Sequence, residues 1–323
     1  MKKILFFSPP FFSYPSVIQV GLRRVFETVT YFKTVPTSCL YKIGCYLETY
    51  LSSTLLKRKL CKDLFNDIKK QMEQDNIDYD YIFVIKGSCI PNDFYVYLKS
   101  KYPNAKFVQY IWDDICNDPH APETFKFYDA VFSYNEKDCI RYGIKFRPFF
   151  FSERYESNIK VRKYDVSCIM SFSEDRIRFL NKFFKSCADI QNKFILIKGS
   201  FLLRIINKSK TGKLGQYITS NGLNYNQMME ILQESKCLVD VQHPMQDGLT
   251  TRAFEALATR TKMITTNANV MEYDFYDPIN IAVVSRDNPV VDTSWLNDTY
   301  KDVDFKIINK YTLSAFISDI LNN

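Results

Sequence analysis

Short apolar runs rich in Ile, Val, Phe and Tyr alternate along the chain with stretches whose apolar residues recur at helical spacing. In the first half KILFFS (3–8), YIFVIKG (81–87), KFVQYIW (106–112) and AVFSY (130–134) read as strands. Helical patterns lie at roughly 16–30, 37–74, 91–101 and 135–142. The segment RPFFFSERYESNIKVRKY (147–164) is irregular and charged, and the pattern restarts after it. DVSCIMSF (165–172), KFILIKG (193–199), CLVDVQ (237–242), KMITT (262–266) and INIAVV (279–284) read as strands. They alternate with helices near 174–187, 225–235 and 250–259, and YTLSAFISDILN (311–322) closes the chain. Such alternation predicts α/β layers with parallel sheets, in two halves that enclose a cleft. The boundaries expected are a first domain over 1–150, a linker over 151–163, a second domain over 164–310 and a final helix over 311–323. Ligands of open parallel sheets bind outside the carboxyl ends of the strands, so candidate chemistry is sought there.

With 323 residues, two domains can each bury a core of their own. No run approaches eighteen uninterrupted apolar residues, so no membrane-spanning helix is expected. The opening MKKILFFSPPFFSYP is broken by Pro9 and Pro10 and reads as a first strand rather than a secretion signal, which predicts a cytoplasmic protein. The nine cysteines fit that compartment: their number is odd, they are scattered, and none forms a C-x-x-C pair. With His120 and His243 as the two histidines, a structural zinc site is not expected. The net charge of +7 is uneven, and residues 31–70 hold eight basic against three acidic side chains. That segment mixes apolar runs with the KRK cluster at 57–59. It reads either as a surface that lies on an anionic membrane or as a core helix with a solvated basic end. No nucleic-acid recognition motif accompanies the charge, so nucleic acid is not an expected partner.

The chain lacks GxGxxG, GxxxxGK[ST] and GxSxG. Its D-x-D pairs, Asp78–Asp80 and Asp302–Asp304, read as solvated charge, because the first precedes a strand rather than following one. What stands out is QDGLTTRAFEALATRTKMITTN (246–267). A helix entered through Gly248, Leu249, Thr250 and Thr251 presents backbone N–H groups at its start, a ready site for an anion. Asp247 and Glu255 stand eight residues apart, about two turns, and so share a helix face if the helix begins early enough. An ordinary helix capped by Thr250 or Thr251, with Phe254, Leu257 and Ala258 buried, fits the same letters.

Taken together, the two α/β halves, the spaced carboxylates and a helix running into a short strand resemble the GT-B glycosyltransferases. QHPMQDGLTTRAFEALATRTKMITTN is similar to the C-terminal block of bacterial lipopolysaccharide and capsule glycosyltransferases related to the group 1 family, which carry E-x7-E where this chain has Asp247 and Glu255. YIWDDICNDPHAPETFKFYDAVFSYNEKDCIRYGIKFRPFF (110–150) is similar to the end of the N-terminal domain in those enzymes. The likeness touches most of residues 80–290. It implies two Rossmann-like domains facing across a cleft, with an N-terminal acceptor domain and a C-terminal domain for a nucleotide-sugar donor. Two departures stand out: Asp247 replaces the first glutamate of the pair, and Arg260 stands where the family commonly has Gly.

The resemblance implies roles. Glu255 would hold the ribose hydroxyls of the donor, and Asp247 would lie near the sugar. The backbone of Gly248, Leu249, Thr250 and Thr251 would take the phosphates, with Arg252 a cationic partner or a surface residue. Lys198, with Gly199 beside it, ends KFILIKG where the family often places a phosphate-binding lysine; a solvated strand-end lysine is the alternative. Arg176, at another predicted helix start, either faces the donor or pairs with Glu174 or Asp175. His243 ends CLVDVQ as a site residue or as a loop histidine. Asp113, Asp114 and His120, after the strand KFVQYIW, are candidates for the base that takes the acceptor proton, Asp113 foremost because it matches the family's Trp-Asp pair. No cofactor and no metal are expected. The co-substrate would be a nucleotide-sugar, UDP-sugar foremost, and the acceptor a glycan or lipid-linked glycan, with contact to the inner-membrane surface through residues 31–70. A nucleotide-sugar epimerase or hydrolase, and a non-catalytic glycan- or membrane-binding protein, remain alternative readings.

Overall fold

The computed structural model describes residues 2–11, 13–51, 55–153, 161–200, 205–244 and 246–322. Residues 52–54 of the helix expected over 37–74, 154–160 of the expected linker and Met245 lie outside them. The chain forms two compact units, Met1–Arg147 with Ile317–Asn323, and Pro148–Phe316.

The first unit is built on six parallel strands: β1 (Lys3–Ser8), β2 (Thr28–Lys33), β3 (Tyr81–Ile85), β4 (Lys106–Ile111), β5 (Ala130–Ser133) and β6 (Lys145–Phe146). They lie in the order β2-β1-β3-β4-β5-β6. β1 pairs with β2 on one side, through Ile4 opposite Val29, and with β3 on the other, through Leu5 opposite Ile82. The near-continuous burial of β1, β3 and β4 is that of strands covered on both faces, as parallel crossovers require. On one face Leu5, Phe7, Ile82, Val84 and Phe107 pack against Phe65, Ile68 and Met72 of the helix Leu55–Asp75 and Phe94, Tyr95 and Leu98 of the helix Asn92–Lys101. Each such side chain contributes about 1.5–3 kcal/mol by leaving water.

Two expectations change here. The helix expected over 16–30 ends at Leu22, and TVTYFK forms the edge strand β2 instead. Thr28, Val29 and Thr30 lose side-chain freedom in a helix and gain packing on a pleated surface, so the β-branched run follows the sheet. The helix expected over 37–74 is two helices, Cys39–Leu51 and Leu55–Asp75.

The second unit repeats the plan with β7 (Tyr164–Ser171), β8 (Lys193–Lys198), β9 (Ile218–Thr219), β10 (Ser235–Asp240), β11 (Lys262–Thr265) and β12 (Ile281–Val283). All are parallel, in the order β12-β11-β10-β7-β8-β9. Val166, Cys168, Ile195, Ile197, Cys237, Val239 and Ile264 meet Ile177, Leu180 and Phe183 of the helix Glu174–Ser186 in one core. At the opposite end from the strand tips, the Arg162 guanidinium donates to the carbonyls of Leu232, Gln233, Ser235, Thr259 and Arg260 and to Thr261 Oγ1, at 2.7–3.1 Å. One cation thereby supplies donors to the carbonyls at the C-terminal ends of the helices Tyr225–Gln233 and Thr251–Ala258, which have no N–H of a following helical turn to bond.

In each sheet the chain leaves its starting strand in both directions, so a switch point lies between β1 and β3 and another between β7 and β10. Those are the places where neighbouring loops part and leave room for a ligand.

Candidate functional site

At the second switch point, β7 ends at Ser171 and β10 at Asp240. Ser173 caps the helix Glu174–Ser186 by accepting from the Arg176 N–H, which sets Arg176 in its first turn. The guanidinium then spans the gap between the strands, donating from Nε to Val241 O at 2.7 Å and from Nη1 to Ser171 O at 3.2 Å. From beyond the tip of the edge strand β12, Arg286 reaches back to Gln242 O at 2.6 Å and pairs with Asp175. Arg252, in the first turn of the helix Thr251–Ala258, pairs with Glu255 one turn on. Three guanidinium groups from three elements thus stand at one strand edge, interleaved with Asp175, Asp240 and Glu255.

The local sequence explains the entry to that last helix. Thr250 occupies the N-cap in extended backbone, yet its side chain makes no cap hydrogen bond and points instead to Asp240, with Oγ1 3.4 Å from Oδ2. The preceding loop is held from behind. Asn267 Nδ2 donates to the carbonyls of Asp247 and Gly248 at 3.1 and 3.3 Å, and Asn269 Nδ2 to that of Asp247 at 2.9 Å. With Leu249 and Phe254 buried as the anchors, the turn from Asp247 into the helix is fixed at both ends.

Burial of this edge shapes its charges. Glu255 is 0% exposed and its carboxylate is paired with the Arg252 guanidinium, as a buried charge requires. Burial raises the Asp240 carboxyl above its ordinary range, against the pull of Arg176, Arg252 and Arg286. Burial also lowers Arg176, with Asp240 opposing and Arg286 adding to the effect. A site of this kind can receive an anionic group: the cations are already positioned, Arg252 and Arg286 each on a carboxylate from which it can turn away and Arg176 on backbone carbonyls.

The first switch point is built differently. Lys86 and Gly87 follow β3 in left-handed backbone, with φ of 68° and 96°. The strain is held by the Lys86 N–H on Tyr110 O at 3.1 Å, by Gln109 on Lys86 O, and by Tyr95 Oη on Gly87 O at 3.0 Å. Lys86 pairs with Asp113. Together they line a polar cavity of about 230 Å³ with Lys57, Asp118, Tyr41 and Cys89.

The sequence-derived candidates fall as follows. Arg176, Thr250, Arg252 and Glu255 come together, with Thr251 opening the helix and Gly248 and Leu249 buried beneath it. Asp247 contributes its carbonyl to the Asn267–Asn269 clamp. His243 is exposed, and its carbonyl accepts from the Gln246 N–H at 2.9 Å. Lys198 ends β8 beside the loop at Gly222, and the Gly199 N–H is bonded to Thr219 O. In the first unit Asp113 lines the cavity. Asp114 is buried and accepts from Tyr134 Oη at 2.5 Å, while His120 is exposed and pairs with Glu123 at 2.9 Å. That partner holds the Glu123 carboxyl below its ordinary range. Asp240, Arg286, Asn267, Asn269 and Lys86 are the residues sequence reasoning passed over. Asp240 left a signal, a single carboxylate directly after the apolar run Cys237–Val239; Lys86 left none. Among the described residues no cluster of three His, Cys, Asp or Glu side chains could hold a metal ion.

Two parallel six-stranded sheets of this topology, each wrapped by helices, are the two Rossmann-like domains of the GT-B fold. No family profile matches the chain and no curated protein matches it in sequence, but solved structures do match in fold. Anabaena HepE in complex with UDP and glucose aligns with a TM-score of 0.60 at 10% identity, over 100% of this chain and 99% of that one. The UDP-GlcNAc 2-epimerase of Neisseria meningitidis bound to UDP-GlcNAc aligns with a TM-score of 0.56 at 9% identity, over 100% and 99%. S. aureus MnaA in complex with UDP aligns with a TM-score of 0.53 at 8% identity, over 97% and 92%.

Proposed function

We propose that this chain binds a UDP-sugar at the carboxyl edge of its second sheet and transfers the sugar to a hydroxyl of a surface polysaccharide or lipid-linked oligosaccharide. The observation that carries the reading is the grouping of Arg176, Arg252 and Arg286 beside a helix start whose N-cap side chain is turned away. A diphosphate leaving group needs positive charge and N–H donors where its own charge develops, and guanidinium groups with a helix N-terminus supply both without a metal. On donor binding Arg252 turns to the phosphates, and Glu255, released from it, accepts hydrogen bonds from the ribose hydroxyls. Support for uridine comes from the solved neighbours, which hold UDP, UDP with glucose, or UDP-GlcNAc. Asp113 is the candidate base for the acceptor hydroxyl, with Lys86 keeping its carboxylate in place.

Thermal unfolding with UDP, GDP, CMP, dTDP and ADP tests the donor reading. At a hundred times its dissociation constant a ligand adds about 2.7 kcal/mol of stability. UDP is expected to raise the midpoint of wild type and to lose that effect in Glu255→Ala; no response to any nucleotide would sink the proposal. The likeness to the Neisseria 2-epimerase supports a second reading, in which the sugar is altered or released with no acceptor. Incubation with UDP-sugars separates the two: acceptor-free conversion favours epimerase or hydrolase, acceptor-dependent release of UDP favours transfer.

The membrane contact is a further part of the proposal. No helix among the described residues is long and apolar enough to cross a membrane. The helices Cys39–Leu51 and Leu55–Asp75 do expose Leu40, Ile43 and Leu55 near Lys42, Arg58 and Lys59. At about 1 kcal/mol per basic residue near an anionic surface, replacing those three by Gln should weaken co-sedimentation with phosphatidylglycerol vesicles about a hundredfold. Equal sedimentation of the variant would remove this contact from the proposal.

A further inference from the structure

The second unit carries a cavity at the amino edge of its sheet, away from the strand tips. It holds about 450 Å³ where β10 and β11 begin. Lys236 near the start of β10, Lys262 at the first position of β11, Arg162 and Arg260 line it, and the chain between Leu296 and Asp302 supplies the rest of the wall. That chain is pinned from behind. Trp295 Nε1 donates to Pro278 O at 3.2 Å, and the buried Asn280 side chain holds both backbone groups of Lys301, at 2.9 and 2.7 Å. A wall fixed in this way is formed before any ligand arrives.

The four cations are held differently. Arg162 is engaged by backbone carbonyls and Thr261, and Arg260 pairs with Asp302. Lys236 pairs with Asp165 at 3.0 Å and donates to Asn297 Oδ1 at 3.1 Å. Lys262 is 3% exposed; its ammonium donates to Trp295 O at 2.6 Å and lies 4.4 Å from the centre of the Trp295 ring. Among the described residues it forms no ion pair, although a buried charge is stable only with a counter-charge or a full set of acceptors, and an ammonium has three donors. Asp298 lines the same cavity and is likewise in no ion pair among the described residues. The cavity thus presents a buried cation without its anion and a carboxylate without donors, beside the apolar surface of Leu296 and Tyr300.

We propose that this cavity binds a monosaccharide bearing one oxyanion, a sugar acid or a sugar phosphate. The oxyanion takes hydrogen bonds from the Lys262 and Lys236 ammonium groups, the sugar hydroxyls donate to Asp298, and the ring lies against Leu296 and Tyr300. Such a ligand supplies both missing partners at once, and the volume falls within the range of about 300–1,000 Å³ usual for small-molecule sites. The site stands at the sheet edge opposite the one proposed for the donor, so the two ligands bind without competing.

The test is isothermal titration calorimetry of the whole chain with glucuronate and with glucose 6-phosphate, against glucose and inorganic phosphate. A charged sugar should bind at a single site per chain, at least about tenfold tighter than glucose or phosphate alone. Whichever of the two binds tighter names the oxyanion. Lys262→Met keeps the buried stem and removes the charge, and should weaken that binding at least about tenfold. Lys236→Gln, on the more exposed side of the site, should weaken it about threefold. Saturating UDP should leave it unchanged. The proposal is overturned if neither charged sugar binds, if glucose binds as tightly as they do, if both lysine variants keep the wild-type affinity, or if UDP displaces the sugar. Lys236→Gln decides the point should Lys262→Met fail to fold, and the lysine variants read this site whether or not UDP binds at the other edge.

Discussion

The two sheets share a topology, yet their carboxyl edges are built on opposite principles. The second edge is made of long charged side chains from distant parts of the chain, Arg176, Arg252 and Arg286 among Asp175, Asp240 and Glu255. The first rests on backbone geometry, with Lys86 and Gly87 forced into left-handed φ by Tyr95, Gln109 and Tyr110. Ion pairs can exchange partners when an anion arrives, so the second edge suits a ligand that brings its own charge. Backbone strain cannot relax that way, and the first edge keeps its shape whatever occupies it.

The largest effect that separates the edges should come from Asp113→Asn. The Lys86–Asp113 pair is half-exposed, so its loss should cost less than about 1 kcal/mol of stability. Loss of the proposed general base should nonetheless lower the proposed sugar transfer by about 10²–10⁴-fold. UDP-induced stabilisation, which the proposed donor site assigns to the other edge, should be unchanged. A variant that transfers sugar at the wild-type rate would remove Asp113 from the chemistry and leave the first edge with a binding role.

Gly87→Ala probes the strain itself. A Cβ at Gly87 would stand 2.7 Å from Gln109 Nε2, 2.9 Å from Tyr95 Oη and 3.0 Å from Tyr128 Oη, in a backbone with φ of 96°. Both the contacts and the conformation oppose it, and urea unfolding should show a loss of about 2–3 kcal/mol. UDP should still stabilise the folded variant. A loss below about 0.5 kcal/mol would mean that this backbone accommodates a side chain and is not held as rigidly as the contrast with the second edge requires.

How legible all this is in the sequence depends on the interaction involved. The alternation that predicts two parallel sheets survives because a buried parallel strand must be apolar on both faces, as KILFFS and YIFVI are. The expected helix over 16–30 overlaps the start of TVTYFK because an edge strand is only half-buried and lacks that signature; its β-branched residues are the available clue. Arg252 and Glu255 are one turn apart, and spacing alone puts them in reach of each other. Arg286 and Asp175 are 111 residues apart, so no local pattern joins them. Lys86 is the least legible, because a non-glycine residue at positive φ is chosen by its surroundings and not by its own preference.

Arg260 makes the same point at the smallest energy. The helix Thr251–Ala258 ends with the Thr261 N–H on Ala256 O at 2.9 Å and the Arg260 N–H on Leu257 O at 3.2 Å, the paired bonds of a Schellman turn. That turn needs a left-handed residue, normally Gly, and Arg260 adopts φ of 51° there. The chain thus departs from the expected glycine while keeping the conformation that glycine would supply. What Arg260 gains is an exposed pair with Asp302, worth at most about 1 kcal/mol, against a left-handed cost of about 1–2 kcal/mol. Arg260→Gly should therefore stabilise the protein slightly, by up to about 1 kcal/mol in urea unfolding, with no change in the UDP binding proposed for the far end of the same helix. A clear destabilisation would show that the Asp302 pair outweighs the strain, and that this end of the second unit, like its strand edge, is held by charge and not by backbone.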